Sequence, residues 1–387
     1  MSDNPVYPVS PAPSRGPRPR SSLSGVFLLL SLLLNVAFFF LLAALCAGAY
    51  FLRESLPDDT SVTLRERHHS GSTTATDKIA IIEFEDLLVE SRLDFLEKQI
   101  DQAAKDDQVK AVVVRIVSPG GSITASDAVH RRLTKLRDGD TEKSYKAKPL
   151  VVSMGALAAS GGYYIAMPAQ AIYAEKTTLT GSIGVFASFP NVKELSDKIG
   201  LKMEVVKAGA VKTAGSPFRD MKPEERVMWQ DMINHAYAQF KSVVEEGRPQ
   251  LKGKLEDKVI DEPRQITVTD KDNQPKSVEV QYVRQRADGG VFTADKALEF
   301  GLVDHIGYLD DAVKDAMARA GKGRPFEVIT YERPRTLFGR LLGIEDKNAA
   351  PPANALDTAH LTAALTPRLW YLAPEAELAG IVAAGGR

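Results

Sequence analysis

Pro149-Leu-Val-Val-Ser-Met-Gly-Ala-Leu-Ala-Ala-Ser-Gly-Gly162 sets the fold class. The apolar run Pro149–Val152 reads as a buried strand, and the segment from Ser160 to Ala166 begins a helix after it. Reading outward, the same alternation repeats. Ile79-Ala80-Ile81-Ile82 is a short apolar run, and Ser91 to Lys105 has helical periodicity through Leu93, Leu96, Ile100 and Ala103-Ala104. Val109 to Val117 reads as another buried strand, and Ser126 to Leu136 as a helix with Ala128, Val129 and Leu133 on one face. Strands alternating with helices predict a layered α/β fold with a mainly parallel sheet.

Ser160 sits among alanine and glycine at the predicted strand-to-helix turn, where small neighbours let a substrate backbone approach closely. The amide of Gly161 can then face the anionic oxygen of a tetrahedral intermediate. Val117-Ser118-Pro119-Gly120-Gly121-Ser122 follows the second strand directly. Ligands in open α/β folds sit at the carboxyl ends of strands, so Gly120 or Gly121 is a candidate second oxyanion donor. By itself the same string reads as a tight turn. No G-K-[ST] follows, so it is not a phosphate loop.

A serine needs a base. His130 lies on the helix after the glycine turn, and His235 lies in a long polar helix, Glu224 to Glu245. A core or surface role suits the first and solvent exposure the second. A lysine can serve if it is neutral, and burial favours that form. Lys212 has small or apolar neighbours from Lys207 to Phe218, and Lys207 shares that environment. Either also reads as an ordinary surface lysine. Ser182, in Thr180-Gly-Ser-Ile-Gly-Val185, is a turn serine or a hydroxyl that holds a lysine.

Together these pieces resemble the bacterial signal peptide peptidase A family of serine peptidases. The matching strings are Ser118-Pro-Gly-Gly-Ser122, Ala158-Ala-Ser-Gly-Gly-Tyr-Tyr164, Leu179-Thr-Gly-Ser-Ile-Gly-Val185 and Lys212-Thr-Ala-Gly-Ser-Pro-Phe-Arg219. Asp304-His-Ile-Gly307, after Gly301-Leu302-Val303, looks like a later motif of that family. The resemblance runs from about Lys78 to Ala320. It implies a Clp-protease-like (crotonase-type) core, with Ser160 as nucleophile, Lys212 as general base and Ser182 as the hydroxyl that positions the lysine. It also implies a ring- or dome-shaped homo-oligomer whose active sites are shared between subunits. The implied substrates are signal-peptide remnants and other extended apolar peptides. Three features depart from the pattern. Gln265 to Arg284 reads as an extra β-hairpin, Gly290 stands where an arginine is usual, and Glu83-Phe84-Glu85-Asp86 ends the first strand where a glycine is common.

Composition narrows the alternatives. A formal net charge of −1 gives no reason to expect nucleic acid. One cysteine, Cys46, excludes an intramolecular disulfide framework, and the 6 histidines show no H-E-x-x-H spacing. Neither a metal nor a cofactor is expected. A crotonase-type acyl-CoA enzyme would share the fold without needing Ser160 and Lys212. A non-catalytic membrane scaffold would keep the fold and lose the chemistry.

The N-terminal region is expected to be an anchor. Residues 1–25 are rich in Pro, Ser and Arg and read as a disordered cytoplasmic segment. Val26 to Leu52 is almost wholly apolar and exceeds the run of about 20 residues that spans a bilayer. Arg15, Arg18 and Arg20 precede it, while Arg53, Glu54, Asp58 and Asp59 follow, which predicts a cytoplasmic N-terminus and a periplasmic catalytic domain. Residues 53–77 read as a linker, 78–334 as the peptidase domain and 335–387 as a tail. In the tail Leu337-Phe338 and Leu341-Leu342 could touch membrane, a neighbouring subunit or the core.

Overall fold

Strand β3 (Val109–Ser118) organises the sheet. Val112, Val114 and Ile116 face one buried cluster, and Ala111 and Val113 face the other. A strand buried on both sides has no polar face, which is why the sequence shows continuous apolar runs there. β3 lies between β2 (Lys78–Phe84) and β5 (Leu150–Ala159), parallel to both. Outward lie β12 (Glu327–Glu332) and β1 (Arg65–Gly71) on one side, and β6 (Ala171–Ala174) and β11 (His305–Ile306) on the other. The 9-stranded sheet is completed by β7 (Leu179–Gly181) and β10 (Val291–Thr293).

Helices cover both faces. α2 (Asp94–Lys105), α3 (Ile123–Asp138), α4 (Gly161–Tyr164) and α6 (Pro223–Gly247) supply Leu96, Ile100, Leu133, Tyr164 and Phe240 to the first cluster. α8 (Leu309–Gly321) closes the second with Ala312, Val313 and Ala316. α5 (Lys193–Ile199) and α7 (Ala294–Glu299) are short. The layered α/β class expected from the sequence is therefore present.

The computed structural model describes residues 22–55, 64–142, 145–269, 273–333 and 370–372. The chain divides after Val62 into two units. The first holds α1 (Ser22–Ser55), a helix of 34 residues. Its side chains are described at Phe27 and over residues 29–44, and these are exposed. Among the described residues no helix is long and apolar enough to cross a membrane. Most of the expected cytoplasmic segment and nearly all of the tail lie outside the described residues.

Several boundaries differ from expectation for identifiable reasons. The expected linker contains β1, whose residues Arg65 to Gly71 pair antiparallel with β12. An edge strand needs only one neighbour, so a charged sequence such as Arg-Glu-Arg-His-His can form it. Leu64 before it is buried, and its backbone is held at both ends by the Gln102 side chain. β5 runs to Ala159 rather than ending at Val152, because its second half has its own partner. Val151 to Met154 pair with β6, while Leu157 to Ala159 pair with β7. The hairpin is longer than predicted, with β8 (Lys258–Thr269) and β9 (Pro275–Gln285) paired along their length. α2 starts at Asp94, after a 3₁₀ turn over Glu90–Arg92. The expected helix from Thr293 to Leu302 shortens to α7.

Candidate active site

The fork in β5 delivers the site. Because its second half pairs with β7, Ser160 emerges beside Gly181 and donates its amide to the Gly181 carbonyl at 2.8 Å. Ser160 is not yet helical. It holds φ 54°, ψ −114°, and α4 begins at the next residue. Its carbonyl accepts the amide of Tyr164 at 2.8 Å. The residue is 1% exposed, and its hydroxyl has no hydrogen-bond partner among the described residues. Left-handed φ in a non-glycine residue stores strain, which concentrates where geometry serves function.

Gly161 sits tightly against the glycine turn. A Cβ there would lie 3.1 Å from both Gly120 Cα and Gly121 N, and 2.5 Å from Ser126 Oγ. As the first residue of α4 its amide has no intrahelical acceptor. The turn forms β4 (Gly120–Ser122). The Gly120 amide reaches Ser118 Oγ at 3.1 Å. Ser122 N donates to Leu88 O at 2.7 Å, and Gly120 O accepts from Leu88 N at 2.9 Å. Alternation along a strand turns the amide and carbonyl of Gly121 to the other edge. There β13 (Trp370–Leu372) pairs antiparallel, with Tyr371 opposite Gly121.

Ser182 stands on the far side of Gly181, buried, with φ 53°. Its hydroxyl donates to the Gly289 carbonyl at 2.9 Å, and its amide donates to the Gly290 carbonyl at 2.9 Å. A groove of about 660 Å³ opens beside it, walled by Ile183, Val185, Phe186, Ile233 and Tyr237.

The site belongs to a recognisable lineage. The family model for peptidase family S49 matches residues 142–260 and 257–322. A Synechocystis protein named as a protease is 35% identical over 243 residues, covering 62% of this chain and 75% of that one. The chain belongs to peptidase family S49. It is a serine peptidase by that membership. An Enterococcus faecium protein carrying the name signal peptide peptidase SppA is 31% identical, with 62% of this chain and 59% of that one aligned. Protease 4 of Salmonella typhi is 33% identical over 63% of this chain but only 34% of its own length. This chain thus spans about a third of Protease 4. A Listeria monocytogenes ClpP1 structure aligns at 12% identity with a TM-score of 0.33, too weak a likeness to assign the fold.

An S49 peptidase needs a base, and the predicted candidates separate clearly. His130 packs edge-on against Tyr164, with ring centroids 5.1 Å apart. Burial pushes its pKa down, opposed by Asp127 and Glu246. His235 is exposed on α6, as expected. Lys207 is spent on its own turn, donating to the Ala210 carbonyl at 2.5 Å. Lys148 is depressed to about 8 by burial, but it lies before the start of β5, at the opposite end from Ser160. It donates there to the Ala103 and Asp106 carbonyls. Lys212 is exposed, and within one chain nothing joins its amine to Ser160. Ser160, Ser182, Gly161 and the glycine turn are therefore brought together in a single chain, and Lys212 is not.

The sequence carries a further signal. Leu201-Lys-Met-Glu-Val205 alternates apolar and polar residues just before the Lys212 segment. Leu201, Met203, Val205 and Val206 are all exposed. The pattern is that of a strand with one face to bury, and among the described residues nothing covers that face.

Proposed function

We propose that this S49 peptidase is a membrane-anchored endopeptidase that works as a homo-oligomer and cleaves extended apolar peptides, signal-peptide remnants among them. Ser160 is its nucleophile and Lys212 of a neighbouring copy its general base. The observation that carries the reading is the state of Ser160: buried, at positive φ, and with a hydroxyl that has no hydrogen-bond partner among the described residues.

The chemistry follows from the hydrogen-bond directions. Ser182 gives its hydroxyl hydrogen to Gly289, so its oxygen can only accept from the lysine. An amine held that way keeps its lone pair for the Ser160 proton. Attack on the scissile carbonyl forms the Oγ–C bond, and the Gly161 amide receives the oxyanion, joined by the Gly120 amide when it releases Ser118 Oγ. The lysine then passes the proton to the leaving amine, and an acyl-enzyme remains. Water, deprotonated by the same amine, releases it.

The uncovered apolar face over 201–206 supports a neighbouring copy as the source of Lys212, since a patch of that kind marks an association surface. The apolar groove beside Ser182 suits an apolar peptide. The anchor over 26–52 and its flanking charges support a cytoplasmic N-terminus and a periplasmic catalytic unit.

Mixing tests the shared site. Ser160→Ala and Lys212→Ala should each abolish cleavage of an apolar fluorogenic peptide at unchanged oligomer size. Random co-assembly of the two inactive variants should restore about a quarter of the wild-type rate, because one neighbour contact in four pairs an intact serine with an intact lysine. Undiminished cleavage by either single variant overturns the dyad. No recovery on mixing, with exchange of subunits demonstrated, overturns the sharing.

A further inference from the structure

The hairpin β8–β9 ends beside the site, and Arg284 is the penultimate residue of its second strand, opposite Ile260. The two segments of the family match meet at the start of this hairpin, one ending at 260 and the other running from 257 through it to 322. Arg284 leaves the hairpin to clasp Asp288, through Nε to Oδ2 and through Nη2 to Oδ1 at 3.0 Å. Its guanidinium lies 4.4 Å over the Phe292 ring. That ring in turn packs on Gly181, where an added Cβ would meet it at 3.0 Å.

Asp288 is a hub. Besides Arg284 it accepts the amides of Gly290 at 2.9 Å and Gln285 at 3.2 Å. These bonds shape the turn Asp288-Gly289-Gly290, and the two glycine carbonyls are the acceptors of the Ser182 hydroxyl and amide. Space beside the turn is also taken. A Cβ on Gly290 would stand 2.3 Å from Arg284 Nη2 and 2.9 Å from Cζ. Gly290 has no left-handed φ, so its backbone does not require glycine. The guanidinium from the hairpin occupies the room that a side chain at 290 would use.

We infer that Arg284 is a positioning residue for catalysis: through Asp288 it fixes the Gly289–Gly290 turn and thereby the direction of the Ser182 hydroxyl. The inference rests on the proposed role of Ser182. It assigns the hairpin a task at the site. Without the guanidinium, a half-buried carboxylate loses its counter-charge and the turn loses its clamp. The Ser182 hydrogen is then free to leave Gly289, and the lysine loses its fixed acceptor.

The test uses the assembled full chain and three variants: Arg284→Ala, Arg284→Lys and Gly290→Ala. Arg284→Ala should lower kcat by about tenfold or more with KM nearly unchanged, as expected for a group that acts only in the chemical step. Arg284→Lys keeps the charge but not the fork, and should fall between. Gly290→Ala should mimic Arg284→Ala, because its methyl displaces the guanidinium. The double variant Arg284→Ala/Gly290→Ala should be no worse than Arg284→Ala, a non-additivity diagnostic of one shared mechanism. Amide hydrogen exchange at Ser182 should quicken in each impaired variant, a readout independent of turnover. Unchanged exchange at Ser182 overturns the inference, even if the peptidase reading itself fails. Faster exchange with unchanged kcat also overturns it, as do strictly additive losses. If Arg284→Ala fails to assemble, Gly290→Ala leaves the ion-pair partners in the chain and decides the matter.

Discussion

Ser160 donates its amide to the carbonyl of Gly181 at 2.8 Å, and the residue after Gly181 is Ser182. One ladder bond between β5 and β7 thus spaces the candidate nucleophile from the hydroxyl that would hold its base. The two serines share a positive φ, 54° and 53°, which costs on the order of 1–3 kcal/mol each. The pairing of β7 with both β5 and β10 over-determines that geometry, so the strain persists.

Removing the second hydroxyl separates strain from chemistry. Ser182→Gly should raise the melting temperature, by relieving the left-handed φ, and still lower kcat by about 10²-fold, the usual contribution of a positioned proton-transfer group. Labelling of Ser160 by an acylating serine reagent should slow in proportion. Wild-type kcat in Ser182→Gly would remove Ser182 from the mechanism.

The two glycine positions flanking the nucleophile should differ in tolerance. At Gly121 a Cβ would lie 1.9 Å from the Leu88 carbonyl oxygen and 2.7 Å from Leu88 Cα, which is backbone and cannot rotate away. At Gly161 the nearest atom, 2.5 Å away, is the Ser126 hydroxyl, which can move, although Gly120 and Gly121 at 3.1 Å still press. Gly121→Ala should therefore destabilise by about 1–3 kcal/mol and abolish cleavage, while Gly161→Ala stays folded and loses rate through a displaced oxyanion donor. Thermal melts and kcat of both variants check the order. A fully stable Gly121→Ala would contradict the close packing of β4 on Leu88.

His130 carries a pH dependence of stability. Burial against Tyr164 holds its folded pKa below the ordinary value of about 6.5, although Asp127 and Glu246 pull it up and Arg137 adds to the lowering. Below the unfolded value the unfolded chain binds the extra proton and the fold resists it. Stability is therefore full above pH about 6.5 and falls as pH drops through that value toward the folded pKa. The melting temperature of His130→Gln should decline less than that of wild type between pH 7 and 5. An equal decline would mean His130 titrates alike in both states.

The strings around Ser160 and Ser182 are readable because close packing at Gly161, Gly162, Gly181 and Gly184 leaves no room for a side chain there. The extent of β5 is not, since alanine and glycine carry no strand preference and only the partner β7 makes 157–159 a strand. β1 was hidden for the opposite reason, because cross-strand hydrogen bonds to β12 form it rather than burial. The function of the Asp288-Gly289-Gly290 turn resides in two carbonyls, which no side-chain pattern records. Lys212 was legible only as a lysine among small residues, because its proposed partners lie on another copy.

The segment that carries Lys212 is braced by one arginine. Arg219 donates to the Thr213 carbonyl at 2.6 Å and its hydroxyl at 2.9 Å, and to both carboxylate oxygens of Glu225 at 2.6 and 2.9 Å. Glu225 also accepts the Lys222 amide at 3.1 Å, in a capping box at the start of α6. The brace thus ties the residue after Lys212 to the first turn of α6, a helix of 25 residues. Hydrogen bonding from Arg219 drives the Glu225 pKa down to about 2 against the opposing effect of burial, with the Lys222 amide adding to the lowering. A depressed carboxylate pKa contributes stability that is present above the unfolded value of about 4.3 and is lost as pH falls from there toward 2. The brace should therefore stay intact across the working range of a peptidase, and pH should not switch it. Glu225→Gln removes the charge and keeps the shape. Its melting temperature should fall at pH 7 and then lose less than wild type between pH 4 and 2. Its kcat should fall by about tenfold, as a loosened loop presents Lys212 less well to its neighbour. A Glu225→Gln enzyme with the wild-type acid profile and wild-type kcat would show that the brace neither titrates as described nor positions the lysine.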